Sequence, residues 1–107
     1  MKSLIKASIP FLGLVLLFCT SSFAADTGAD TFKSKCAMCH GATGAGDTAM
    51  GKKLNLRDLG SADVQKQSDD ELNGIITNGK DKMPKYGEKL SKDQISDLVK
   101  YIRSLKK

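Results

Sequence analysis

The sequence predicts a small all-α protein. Apolar residues recur at intervals of three and four, which is the helical period, and no segment alternates as a strand does. Two segments have the form of a capping box, in which serine begins a helix and Glu or Gln follows three residues later: residues 68–71 and 91–94. A chain of 107 residues has the size of one domain.

The first 24 residues are predicted to be a cleaved export signal. Lys2 and Lys6 give a basic start, residues 9–18 are apolar but short for a bilayer, and residues 22–24 (Ser-Phe-Ala) carry the small residues that a signal peptidase recognises. A retained membrane anchor is the alternative. Lipid attachment at Cys19 is a weaker one, because two large residues precede that cysteine.

Residues 25–107 are then a single domain with a thin core. Cleavage leaves 83 of the 107 residues, with 15 basic and 12 acidic side chains, hence a charge of about +3. Chains of this size often need a cross-link or a cofactor to complete their core. Because arginine-rich and aromatic stripes are lacking, nucleic-acid binding is not predicted, whereas an acidic protein partner is compatible with the charge.

The first predicted helix spans residues 26–39, with Asp26 or Thr27 as its cap and Phe32 one turn before Cys36. Residues 41–51 contain four glycines and are predicted to be a loop. Neither a preceding strand nor a following Gly-Lys-Ser accompanies them, so they are no phosphate-binding fingerprint. Small residues here let the backbone pass close to a bound group.

Three more helices follow in the prediction. A short one covers residues 61–67, and the next begins at Ser68 and ends at Asn78-Gly79, a pair that tolerates positive φ. The last begins at Ser91. The apolar faces of the two longer helices are Leu72, Ile75 and Ile76, and Ile95, Leu98, Val99, Ile102 and Leu105.

Two cysteines and the only histidine of the chain form its chemical centre, in the run Cys36-Ala37-Met38-Cys39-His40. Positions i, i+3 and i+4 share one face of a helical turn, so both thiols and the imidazole can address one flat ligand. Two thioethers and one imidazole ligand to iron are the attachment of a c-type haem. The motif therefore predicts one covalently attached haem c, with His40 bound to its iron.

Three other interpretations of Cys36 and Cys39 remain open. A thioredoxin-like redox pair requires a strand–helix–strand pattern, which is not seen. A structural zinc site requires four Cys or His ligands, and the mature chain has three. A plain disulfide suits an exported protein but does not call for the adjoining His40.

Met83 is the predicted ligand on the other face of the iron. Pro84 stiffens the peptide after it and biases it away from helical geometry. Met38 lies inside the motif on the His40 side, and Met50 follows His40 by only ten residues. Ligation by Met50, an open or lysine-bound iron, and a Met83 that merely fills the core are the alternatives.

The chain resembles the small monohaem class I cytochromes c of the bacterial periplasm and the photosynthetic lumen. The resemblance covers nearly all of residues 25–107, and the matching residues are Cys36 to Gly41, Asn78-Gly79-Lys80, Met83-Pro84, Leu98 and Tyr101. It implies a cytochrome c fold of three to four helices around one haem. It also implies that the first and last helices cross where Gly28 and Phe32 meet Leu98 and Tyr101.

The predicted function is that of a soluble one-electron carrier with His40 and Met83 as axial ligands, because an iron with both axial positions filled has no site for a substrate. It is predicted to shuttle electrons between redox proteins outside the cytoplasm and not to be an enzyme. It is also predicted to be a monomer without stable membrane insertion. The alternative is a peroxide-reactive or gas-binding haem protein in which Met83 is labile.

The partner of His40 and the lysines near Met83 are two further features of the predicted site. Many relatives carry a proline whose carbonyl accepts a hydrogen bond from the proximal histidine, but none occurs between His40 and Met83, so a carbonyl within residues 44–55 is expected instead. Four lysines near Met83 either steer an acidic partner or are merely solvated. They are Lys80, Lys82, Lys85 and Lys89.

Overall fold

The computed structural model describes Gly13 and residues 23–107, with side chains from Gly28 onward. The predicted signal peptide, including Cys19, lies almost entirely outside this part. No helix within residues 23–107 is long and apolar enough to cross a bilayer.

The described part of the chain is helical, and its one element of β pairing is an isolated bridge between Lys80 and Met83. The all-α prediction is therefore confirmed. Residues 23–107 contain six helices where three to four were expected, because three single-turn or near-single-turn helices accompany three longer ones. They are α1 (Phe23–Lys35), α2 (Ala37–His40), α3 (Ala49–Lys53), α4 (Ala62–Gln65), α5 (Asp69–Asn78) and α6 (Lys92–Ser104).

The boundaries of the first helix differ from the prediction. It begins at Phe23 and not at Asp26 or Thr27, since the preceding alanines are good helix formers. It ends at Lys35, and Cys36 (φ −115°, ψ −31°) separates it from α2. The Cys36 amide still donates to the Phe32 carbonyl at 2.8 Å, so the chain keeps a helical path across this break.

The glycine-rich segment ends sooner than predicted, because Thr48 caps a short helix that contains Gly51. The Thr48 hydroxyl accepts from the Gly51 amide at 2.9 Å and donates to the Cys39 carbonyl at 2.7 Å. A Cβ on Gly51 would lie 2.5 Å from the Gly46 carbonyl oxygen and 2.6 Å from that of Cys39. This glycine permits the close approach that fastens α3 to the cysteine motif.

The later helices begin and end where the capping residues predicted. The Ser68 hydroxyl accepts from the Glu71 amide at the start of α5, and Gly79 ends that helix with φ 74°. At the start of α6 both halves of the capping box form between Ser91 and Gln94. The short helix predicted for residues 61–67 is present as α4.

The core lies where α1 and α5 pack against α6. A Cβ on Gly28 would stand 2.5 Å from the Asp97 carbonyl oxygen, so only glycine allows α1 and α6 to cross this closely. The Phe32 and Tyr101 rings meet at a centroid distance of 4.9 Å, which confirms the predicted crossing. The buried apolar residues are Phe32, Val64, Leu72, Ile76, Leu90, Ile95, Leu98, Val99 and Ile102.

Candidate functional site

One cavity of about 560 Å³ brings the four predicted site residues together. Residues of α1, α2, α5 and α6 form its walls, together with the segment 53–59, Val64 and the segment around Met83. A volume of this size lies within the range of about 300–1,000 Å³ that is usual for cofactor sites. The predicted residues that line it are Cys36, Cys39, His40 and Met83, and the core residues are Phe32, Val64, Leu72, Ile76, Leu98 and Ile102.

The cysteine motif faces this cavity because it forms one helical turn. The His40 amide donates to the Cys36 carbonyl at 2.9 Å, and the Gly41 amide donates to the Ala37 carbonyl at 2.9 Å. Residues i, i+3 and i+4 of such a turn share a face. Met38 lies off that face and is 80% exposed.

Both thiols are half-buried and free. Burial raises the pKa of Cys36 to about 11, and negative charge on Cys39 raises it further in the same direction. A thioredoxin-like nucleophile requires the thiolate, which this burial disfavours. Within the described residues no group of three or more His, Cys, Asp or Glu side chains that could hold a metal ion is found.

The His40 ring is half-buried, and burial lowers the pKa of its imidazole, which favours the neutral form that binds metals. Its Nδ1 is buried and has no hydrogen-bond partner among the described residues. The predicted carbonyl partner within residues 44–55 is therefore not found. Carbonyls of this segment serve the loop itself: those of Gly44 and Gly51 accept from the amides of Leu59 and Leu56.

Met83 lies in a tight turn that follows α5. The Met83 amide donates to the Lys80 carbonyl at 2.9 Å, the Lys80 amide returns a bond of 3.3 Å, and Asp81 takes the positive φ of 54° that the turn requires. The side chain packs against the core and lines the cavity. Of the three methionines in the described part, Met83 alone does so; Met50 is 43% exposed and lies on α3.

The four lysines near Met83 border two adjoining depressions. Lys80 and Lys82 lie on the rim of the cavity, and Lys80 also borders, with Lys85 and Lys89, a second, shallow depression. The sequence did not single out three further basic residues of the rim, which are Lys35, Lys53 and Arg57.

The segment 54–59 was also missed. Leu54, Leu56 and Leu59 line the cavity, and Asn55 between them has a φ of 54°. The recurrence of leucine in an otherwise polar stretch was the available signal. The Arg57 guanidinium donates to the Gln67 side chain at 3.4 Å, which joins this segment to the end of α4.

These residues fit a flat apolar group that carries a metal. The lining is mainly apolar, the unpaired buried imidazole nitrogen marks a ring that is no ordinary hydrogen-bonded core histidine, and a soft sulfur donor lines the same cavity. Cys36 and Cys39 are placed where they could attach such a group at its edge.

Comparisons with known proteins point to the same kind of molecule. Residues 23–102 match the family model described as cytochrome c oxidase, cbb3-type, subunit III. Cytochrome c6 of Picosynechococcus sp. is 33% identical over 110 residues, which covers 95% of this chain and 92% of that protein. Cytochrome c6 of Porphyra purpurea is 32% identical over 111 residues, with 96% and 93% covered.

A solved structure shares the fold. It is the KustC0563 c-type cytochrome, with a TM-score of 0.70 and 32% identity, over 75% of this chain and 98% of that one. The predicted role as an electron carrier and not an enzyme is confirmed through the cytochrome c6 relatives. By sequence and by fold, the chain belongs to the class I monohaem cytochromes c.

Proposed function

We propose that this chain is a soluble one-electron carrier with one haem c, attached through Cys36 and Cys39 and ligated by His40 and Met83. The observation that carries the proposal is the placement of the motif and of Met83 in one apolar cavity. When bound, the haem supplies reversible one-electron exchange at its iron.

The chain's own residues determine how that exchange proceeds. His40 and Met83 would hold the haem iron through an imidazole nitrogen and a thioether sulfur, which would leave no site for a substrate on the metal. Methionine ligation and an apolar surrounding both favour the state of lower charge, which raises the reduction potential. Attachment through Cys36 and Cys39 and ligation by His40 and Met83 would hold the haem at four points, which would restrict the change in geometry between its two redox states.

The proposed place of action is the periplasm or an equivalent extracytoplasmic space. Residues 1–24 carry the features of a signal peptide, and residues 25–107 then form the single haem-binding domain. Exported proteins are also those in which cysteines are usually committed to covalent bonds. The mature protein is proposed to act as a monomer.

The visible spectrum of the holoprotein, matured together with a haem-attachment system, tests this function. We expect a low-spin spectrum with a weak sulfur-to-iron band at its red end, one reversible one-electron wave, and colour that stays with the protein after acid–organic extraction. A high-spin ferrous protein that takes up carbon monoxide readily at neutral pH would instead establish the gas-binding or peroxide-reactive alternative.

The redox partners are proposed to present acidic docking surfaces to the basic rim. Lys80 and Lys82 stand on that rim with Lys35, Lys53 and Arg57, and the neighbouring acidic group is Asp81. Clustered charge of one sign raises the encounter rate with opposite charge and loses this effect at high salt.

Oxidation by small complexes of opposite charge measures this field directly. We expect anionic ferricyanide to react more slowly as salt rises, and cationic tris(phenanthroline)cobalt to react faster. The Lys82→Glu variant should slow ferricyanide by roughly threefold or more at low salt, whereas Lys100→Glu, on exposed α6 surface away from the cavity, should change it less. Equal effects of the two variants would show that only net charge matters.

A further inference from the structure

The proposed attachment motif and the proposed sulfur ligand lie on separate segments, which both pack against the common core. Among the described residues, one hydrogen bond links residues 79–90 with residues 28–41. The Tyr86 hydroxyl donates it to the Lys35 carbonyl at 3.2 Å, across 51 positions of sequence. Since Lys35 directly precedes Cys36, this bond joins the Met83 segment to the backbone that carries the motif.

Tyr86 is well placed to hold that segment. Its amide donates to the Ile76 carbonyl and the Gly87 amide donates to that of Thr77, both at 3.0 Å, so its backbone is fixed to the end of α5. Its ring is half-buried, packs against the core and lines the cavity. Only Pro84 and Lys85 separate it from Met83, and the proline limits how far the intervening backbone can yield.

We propose that Tyr86 is a positioning residue for Met83: its hydroxyl latches the sulfur-bearing segment to Lys35 and so governs how readily the sulfur leaves the iron. The proposal rests on the His40/Met83 ligation of the proposed function. Any movement that withdraws Met83 from the cavity must carry the neighbouring Pro84 and Tyr86 with it or bend the chain between them. The latch therefore opposes exchange of the sixth ligand without touching the metal.

The size of the effect follows from the bond. A typical intramolecular hydrogen bond changes an equilibrium constant by about fivefold, and this one is exposed and long for an O–H···O bond, so the expected change is roughly two- to fivefold. Tyr86→Phe removes the hydroxyl and keeps the ring that fills the cavity wall, so it isolates the latch from packing. Tyr101→Phe is the matched control, because its ring packs at a tilt against Phe32 and its hydroxyl makes no hydrogen bond within the described residues.

Imidazole titration of the oxidised holoprotein is the test. Imidazole competes with Met83 for the iron, and loss of the sulfur-to-iron band reports the exchange. We expect Tyr86→Phe to bind imidazole roughly two- to fivefold more tightly than wild type and to lose the band at a lower temperature. Tyr101→Phe should match wild type in both measurements.

The outcomes distinguish failure of the Tyr86 latch from failure of the His40/Met83 ligation. If wild type shows the band and Tyr86→Phe has unchanged imidazole affinity, the latch is wrong and the ligation stands. If Tyr86→Phe only lowers the global unfolding midpoint, its role is structural and the latch is again wrong. If wild type shows no sulfur-to-iron band, the ligation and the latch both fail.

Discussion

Met83→Ala is expected to abolish the sulfur-to-iron band and to lower the reduction potential by about 0.1 V or more, since the choice of axial ligands moves such potentials over about 0.8 V. For one electron, 0.1 V corresponds to about 2.3 kcal/mol. The reason is that sulfur from Met83 favours the reduced metal, and water or a lysine in its place does not. The reduced variant should also bind carbon monoxide, because water or a lysine at the sixth position is displaced more readily than the methionine sulfur would be.

Met50→Ala is the control that the fold supplies. Met50 is 43% exposed on α3 and does not line the cavity, so its loss should leave band, potential and carbon monoxide binding as in wild type. Loss of the band in Met50→Ala, with retention in Met83→Ala, would reverse the assignment. A band unchanged in both variants would show that neither methionine is the ligand.

The parts of the fold that the sequence predicted are those that neighbouring residues determine. The hydroxyls of Ser68 and Ser91 reach amides three residues away, and Gly79 takes its positive φ within the same turn. These are short-range effects, visible in any window of a few residues. The start of α1 and the helix around Gly51 were missed, because alanines extend the former and a glycine-rich composition conceals the Thr48 cap of the latter.

The candidate site likewise has a part that short-range sequence spacing predicts and a part that it does not. Spacing alone puts Cys36, Cys39 and His40 on one face of a turn, and the structure has them there. The environment of His40 Nδ1 could not be predicted from spacing. It depends on which carbonyls of residues 44–55 already accept hydrogen bonds from backbone amides. The hydrogen bonds from Arg57 to Gln67 and from Tyr86 to Lys35 could not be predicted for the same reason. They join residues that lie 10 and 51 positions apart in the sequence.

Replacing both Cys36 and Cys39 with alanine is expected to yield a protein that does not fold. The described core surrounds a cavity of about 560 Å³. Without a retained cofactor, water fills this open cavity and wets its apolar lining, which costs the folded state the burial that the cofactor would provide. Small domains are stable by only about 5–15 kcal/mol in total. Without a retained cofactor, the packing of α1 and α5 on α6 does not offset this cost.

Far-ultraviolet circular dichroism and acid–organic extraction check this expectation together. The double variant should lack colour that survives extraction and show little cooperative unfolding, whereas Cys36→Ala alone, with one attachment left, should keep haem and melt at a lower temperature. Met38→Ala is the matched control, since that residue lies between the two cysteines and is 80% exposed. A double variant that folds cooperatively without haem would show that the protein core suffices by itself. The cysteines would then serve to retain the cofactor, and the fold would not depend on it.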